Sequence, residues 1–171
     1  MTRVFLPALA IAFLVSSAQA KEAGLYLQLS GASVHAERRA DGRPWNQRNW
    51  GLGLQYVAPG TLLGADVNYF VAAGGLKNSE FGQSSYLGGG ARKPIVSGAL
   101  GELSLGAFAG LMNYPSRYDR ISDARFYPIV LPSVNLCAAG GAACLDTYLI
   151  PKVLNLASAA VLFQGRIRVP F

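Results

Sequence analysis

Charge, sulfur and imidazole are all scarce in this chain. Of its 171 residues only 14% are Asp, Glu, Lys or Arg, and it carries two cysteines and a single histidine. Neither Cys-x-x-Cys spacing nor a histidine beside the cysteines is present, so no metal is expected. Long apolar runs are missing too. Beyond residues 4–15, nothing approaches the roughly 18 consecutive apolar residues that a membrane-spanning helix requires. No segment reads as a helix of useful length either.

What is present is an apolar, glycine-rich chain, 51% hydrophobic with 20 glycines. Residues 1–20 are expected to be a secretory leader rather than part of the fold. Thr2 and Arg3 give a short positive start, Val4 to Val15 is apolar apart from Pro7, and Ala18-Gln19-Ala20 is a small-residue cleavage pattern. Cleavage after Ala20 leaves residues 21–171 as one exported domain. Losing Arg3 takes the 15 Lys and Arg to 14 against 9 Asp and Glu, a net charge of +5. In an exported chain that excess points away from nucleic acid and toward anionic lipid head groups or lipopolysaccharide phosphates. Cys137 and Cys144 flank Ala-Ala-Gly-Gly-Ala-Ala. Across a hairpin loop in an oxidising compartment, they are expected to form a disulfide.

Period-two alternation recurs between turn residues and predicts eight strands, at 24–35, 49–58, 61–73, 82–92, 97–112, 125–137, 144–151 and 157–171. The connections at 36–48, 74–81 and 113–124 are long and polar. Those at 59–60 and 93–96 are short and carry Pro59-Gly60 and Pro94. Long loops at one end and short turns at the other, with an amphipathic last strand ending on Phe171, predict an all-β, eight-stranded antiparallel transmembrane barrel of a Gram-negative outer membrane.

The faces expected to point inward divide by height. Asn68, Glu102, Ser104, Asp146, Gln164 and Arg166 make the lower lumen polar and charge-paired. Phe70, Phe108, Gly110, Met112, Ile150 and Leu162 make the upper lumen apolar. An apolar chamber opening toward the outer leaflet suits one acyl chain, with Phe108 and Met112 in its wall. Ordinary apolar packing of the lumen is the alternative.

His35 ends the first strand, where alternation alone would not place it in the lumen. Lys77-Asn78-Ser79 lies in the second outer loop on the same rim. A neutral imidazole beside a hydroxyl is the minimum for general-base activation. With these residues, the chain resembles the lipid A palmitoyltransferase family, eight-stranded outer-membrane barrels that move palmitate from a glycerophospholipid to lipid A. Ser33-Val34-His35, Arg43-Pro44-Trp45-Asn46 and Gly51-Leu52-Gly53-Leu54 are similar to its first strand, loop and second strand. Lys77-Asn78-Ser79 resembles a Lys-Asp-Ser motif, Gly88-Gly89-Gly90 a Gly-Tyr-Gly, Tyr127-Pro128-Ile129-Val130-Leu131-Pro132 a Pro-rich sixth strand, and Tyr148 to Pro151 a Tyr-Ile-Pro seventh.

The resemblance implies that His35, Asn78 and Ser79 occupy catalytic positions, with Asn78 where the family has Asp. An Asn lacks the charge that stabilises an imidazolium, though it can orient a group or donate to an oxyanion. An Asn78→Asp change would restore the motif and should be tolerated. Gly90 is implied at the floor of the acyl pocket, where Gly90→Met should favour shorter chains. Pro128 and Pro132, which lack the N–H of a strand ladder, are implied to flank a lateral gate for the lipid. Arg38, Arg43, Arg117 and Arg120 in the outer loops fit the phosphates of lipid A. The expected function is therefore palmitoyl transfer from a glycerophospholipid to lipid A by a monomeric, membrane-embedded enzyme with no cofactor. A lipid A deacylase and a non-enzymatic adhesin or envelope-stabilising barrel are the alternatives.

Overall fold

The computed structural model describes residues 23–39, 41–115, 125–151 and 159–170. The expected leader and its cleavage site, Arg117, Arg120 and Phe171 lie outside the described residues. Eight strands follow in chain order: β1 (Gly24–His35), β2 (Arg48–Leu62), β3 (Ala65–Lys77), β4 (Gln83–Gly98), β5 (Gly101–Asn113), β6 (Phe126–Ala138), β7 (Ala143–Ile150) and β8 (Ala160–Arg168). Each pairs antiparallel with its sequence neighbours, and β1 pairs with β8 to close the barrel. The eight expected strands are all present, β1 with the expected bounds and the others with shifted ends.

The shifts have a conformational cause. Pro59-Gly60, expected as a turn, lies inside β2, with Pro59 opposite Asn68 and Gly60 opposite Val67. The chain turns instead at Leu63-Gly64, whose φ values are 50° and 78°. Two positive φ values suit the two-residue hairpin turn that matches strand twist, and proline, locked near −65°, cannot supply one. The second short turn is Ala99-Leu100 rather than 93–96. Pro94 sits where the β4–β5 register slips between Pro94 and Val96, a bulge that spares the ladder a missing donor.

The third short connection carries a single 3-10 turn, Ala139–Gly141, between β6 and β7. The Tyr26 hydroxyl donates to the Gly141 carbonyl at 3.0 Å, tying this turn to β1. Just above it Cys137 and Cys144 are register partners joined by the expected disulfide.

Inside, the barrel has two tiers. The lower tier is built on Asp146, which pairs with Arg92 at 3.1 Å and Arg166 at 3.2 Å, all three side chains being sealed from solvent. Asn135 also donates to Asp146, and Gln55 accepts from Arg92 at 3.3 Å. The upper tier centres on Phe108, which stacks on Phe70 at 6.4 Å and meets Tyr86 and Tyr148 edge-on, each at 6.3 Å. Arg92 lies 4.0 Å over the Phe70 ring and joins the tiers. Outward positions are the reverse, an exposed apolar belt that includes Leu29, Leu54, Val71, Leu87, Leu111 and Val130.

One seam is incomplete. Among the described residues β6 pairs with β7 only from Ser133↔Tyr148 down to Cys137↔Cys144, so Val130, Leu131 and Pro132 stand beside Leu149, Ile150 and Pro151 without a ladder.

Candidate functional site

A bulge, not simple alternation, orients His35. In β1, Tyr26, Gln28 and Ser30 are buried in the lumen, so even positions face inward. The pairing with β8 then skips Gly31: Ser30 stands opposite Gln164, but Ala32 stands opposite Phe163. Beyond the skip Ser33 is buried and Val34 exposed, so odd positions face inward. His35 therefore lies opposite the buried Ala160, on the lumen side of the rim. Re-aiming a side chain is what an inserted residue does to a strand, and it reverses the expectation from alternation.

Loop 1 (36–47) then builds a cavity around the imidazole. Trp45 stacks on His35 at 4.8 Å with the planes 9° apart, and its indole N–H donates to the Glu37 carbonyl at 2.8 Å. Arg39 lies 4.8 Å from the Trp45 ring centroid. Its guanidinium binds Asp41 with two hydrogen bonds, at 3.0 and 2.9 Å, and turns its remaining nitrogen to Glu80. Hydrogen bonds to Asp41 first and Glu80 second push the Arg39 pKa up. The bond from Arg39 holds the Asp41 carboxyl down at about 2. His35, Arg38, Arg39, Arg43 and Trp45 line one cavity of about 610 Å³. The Nδ1 of His35 is buried without a hydrogen-bond partner among the described residues.

Asn78 and Ser79 follow β3 in loop 2 (78–82), and both are buried. The Asn78 amide donates to Ser84 Oγ at 3.0 Å and the Pro115 carbonyl at 2.7 Å. Its oxygen accepts from the Glu80 and Gly82 amides at 3.0 and 2.8 Å. Both donors and both lone pairs are thus consumed in holding loop 2 against the start of loop 3. An Asp at 78 would lose both donors and face the Pro115 carbonyl with a carboxylate oxygen, so the expected tolerance of Asn78→Asp does not fit this geometry. Loop 3 passes so close that a Cβ on Gly82 would meet the Pro115 oxygen at 1.9 Å. The Ser79 hydroxyl is hydrogen-bonded with the Tyr114 phenol, whose pKa is raised by burial. The Ser79 carbonyl accepts from the Asn46 amide at 2.9 Å. His35 and Ser79 share the rim, and no hydrogen bond joins them among the described residues.

The apolar tier encloses a cavity of about 50 Å³, with Phe108, Met112, Ile129, Leu131 and Ile150 among its walls. Gly90 does not line it. This residue lies just below, where a Cβ would strike the Ala107 carbonyl at 1.9 Å and the Phe70 ring at 2.6 Å. Backbone cannot yield as a side chain does, so Gly90→Met would disturb the strand before it shortened any pocket. Beside the upper part of β6 runs an apolar groove of about 550 Å³, touched by Val130, Pro132, Leu149, Pro151, Ala160 and Val161. Ile150 borders both the groove and the inner cavity. Pro132 stands at the β6–β7 seam, and Pro128 lies above it on the same strand.

Sequence reading missed Trp45, Glu80, Tyr114 and Arg92. Arg92 had a signal, since Gly88, Gly90 and Arg92 continue one period-two face. The other three sit on loops with no period, and only the packing of three loops brings them to His35 and Ser79. No family model matches the chain, and no curated protein matches it.

Proposed function

We propose that this protein is an outer-membrane acyltransferase that moves a palmitoyl chain from a glycerophospholipid to lipid A. The observation that carries the reading is His35, turned by the Gly31 bulge into a cavity that also holds Arg38, Arg39 and Arg43. A base among guanidinium groups suits an acceptor hydroxyl on a phosphorylated lipid. The apolar outer belt over a polar interior supports a barrel set in a bilayer, because a lipid-facing wall must be apolar and an edge-free sheet satisfies its own backbone. The lack of a β6–β7 ladder above Ser133 among the described residues supports lateral entry of a donor chain past Pro132. The groove of about 550 Å³ there falls within the usual size of ligand pockets, roughly 300–1,000 Å³.

In this mechanism the acceptor hydroxyl oxygen attacks the ester carbonyl carbon of the donor while His35 takes its proton. The tetrahedral intermediate collapses with cleavage of the glycerol C–O bond. The leaving alkoxide recovers the proton from the imidazolium, giving acylated lipid A and a lysophospholipid. Ser79, held by Tyr114 and Asn46, supplies a hydroxyl at the same rim, and Asn78 holds the loop that carries it.

A second reading, a small barrel without catalysis, draws support from the inner cavity. At about 50 Å³ it is far below the size of ligand pockets. Mass spectrometry of lipid A from cells with and without the protein separates the readings. A gain of one palmitoyl mass is expected, and its loss in folded His35→Ala protein. A lost acyl mass would indicate a deacylase, and no change would indicate the non-enzymatic barrel. A cross-link between residues 131 and 150, which continue the β6–β7 register, should block transfer with the barrel intact.

A further inference from the structure

We infer that Trp45 is the positioning residue for His35, its indole face fixing the plane of the imidazole so that Nε2 meets the acceptor hydroxyl. The inference rests on the reading of His35 as a base, and it gives the orienting part to a loop residue outside the His35, Asn78 and Ser79 set.

A base moves a proton well only when its ring is held at the right angle, and a hydrogen bond to the second ring nitrogen commonly does the holding. His35 has no such bond. Its Nδ1 is buried without a partner among the described residues, while the residue as a whole is half-buried. The sealed nitrogen leaves Nε2 to reach a substrate. What the imidazole does have is a parallel plate, the Trp45 ring at 4.8 Å with the planes 9° apart. The second torsion of a histidine side chain is broad when nothing packs on the ring, so the plate sets the angle. An indole face also attracts a cation, so the contact survives when the imidazole takes a proton.

The plate is itself held from several sides. Its N–H donates to the Glu37 carbonyl at 2.8 Å. Arg39, tied to Asp41 by two hydrogen bonds, lies 4.8 Å from the ring centroid. The next residue, Asn46, gives its backbone amide to the Ser79 carbonyl and its side-chain amide to the Asn78 carbonyl, each at 2.9 Å. These two bonds tie loop 1 beside Trp45 to the loop that carries Ser79. The charged and titratable groups around the stack are Glu37, Arg38, Arg39 and Arg43 in the cavity wall, Glu80 on loop 2 and Tyr114 at the start of loop 3. Such groups move the midpoint of an imidazole titration, whereas contact between the two rings is read as an amplitude.

The chain has two tryptophans, and Trp50 is 69% exposed on the outer face of β2. Trp50→Phe therefore leaves Trp45 as the reporter in the full protein in detergent micelles. A protonated imidazole in contact quenches indole emission, so the emission should fall between about pH 8 and 5. His35→Ala should abolish that fall. Transfer is then compared in the wild type, Trp45→Leu and Trp45→Phe, with heat-dependent gel mobility confirming the barrel. Leucine fills space without a flat face and should lower kcat roughly tenfold or more at nearly constant KM. Phenylalanine keeps the face and should recover most of the loss. Emission that ignores pH overturns the stack, and full transfer by Trp45→Leu overturns the positioning role. A rise in KM alone, or equal losses in both variants, also overturns it, by making Trp45 a lipid contact or a packing residue. Absence of transfer by the wild-type protein overturns the base reading and the role built on it, even where the emission shows the rings in contact.

Discussion

The lower and upper halves of this barrel are closed by different chemistry. Below Ser133, β6 and β7 are laddered, cross-linked by Cys137–Cys144 and backed by Asp146 with its two arginines. Above it, the described residues of β6 and β7 carry no ladder, the interior is aromatic, and loops 1 and 2 pack at the rim. Charge pairs and a covalent bond have directional geometry and make a rigid base. Apolar contact is non-directional, so the aromatic tier lacks the directional bonds that fix the lower one. The contrast puts the directional bonds in the lower half and the apolar contacts below His35.

Breaking the base should have the largest effect. Asp146→Ala strands Arg92 and Arg166, both sealed from solvent, and should cost about 3–5 kcal/mol. The midpoint of heat-dependent gel mobility reads this directly. Replacing Cys137 and Cys144 together by serine should cost about 2 kcal/mol, because the loop they close is short. If the disulfide anchors the lower seam, the same pair should also speed hydrogen exchange in β7 more than in β3.

Relief of strain should work in the other direction and more weakly. Leu63 is fully exposed at a φ of 50°. Leu63→Gly should therefore stabilise the barrel by about 1 kcal/mol in the same gel assay. The smallest effect belongs to the rim. The Asp41 carboxyl is lowered from 3.8 to about 2, chiefly by its bond from Arg39. Its contribution is therefore complete above pH 4 and lost as pH falls through 2. Protease sensitivity of loop 1 should rise over that window, with the barrel itself unmoved.

Much of the fold was legible because a closed sheet with an apolar outside imposes period-two alternation on every strand. The two interior tiers and the disulfide followed from the same pattern and from the Cys137–Cys144 spacing. Turn positions were less legible. Pro59 and Pro94 read as breakers, yet Pro59 lies beyond the end of the β1 ladder at Val57 and Pro94 beside a bulge, and the true turn needed positive φ at Leu63.

At the rim, the sequence by itself determined that His35 and the Lys77-Asn78-Ser79 loop belong to the same end of the barrel, because strand parity sets which ends neighbouring strands share. Only the tertiary structure decided which way His35 points, since one unpaired residue at Gly31 inverts the parity of all that follows it in β1. It alone stacked Trp45 on that imidazole and set Arg39 over Trp45. Loop residues have no period, and their positions are set by contacts made across the barrel mouth rather than along the chain.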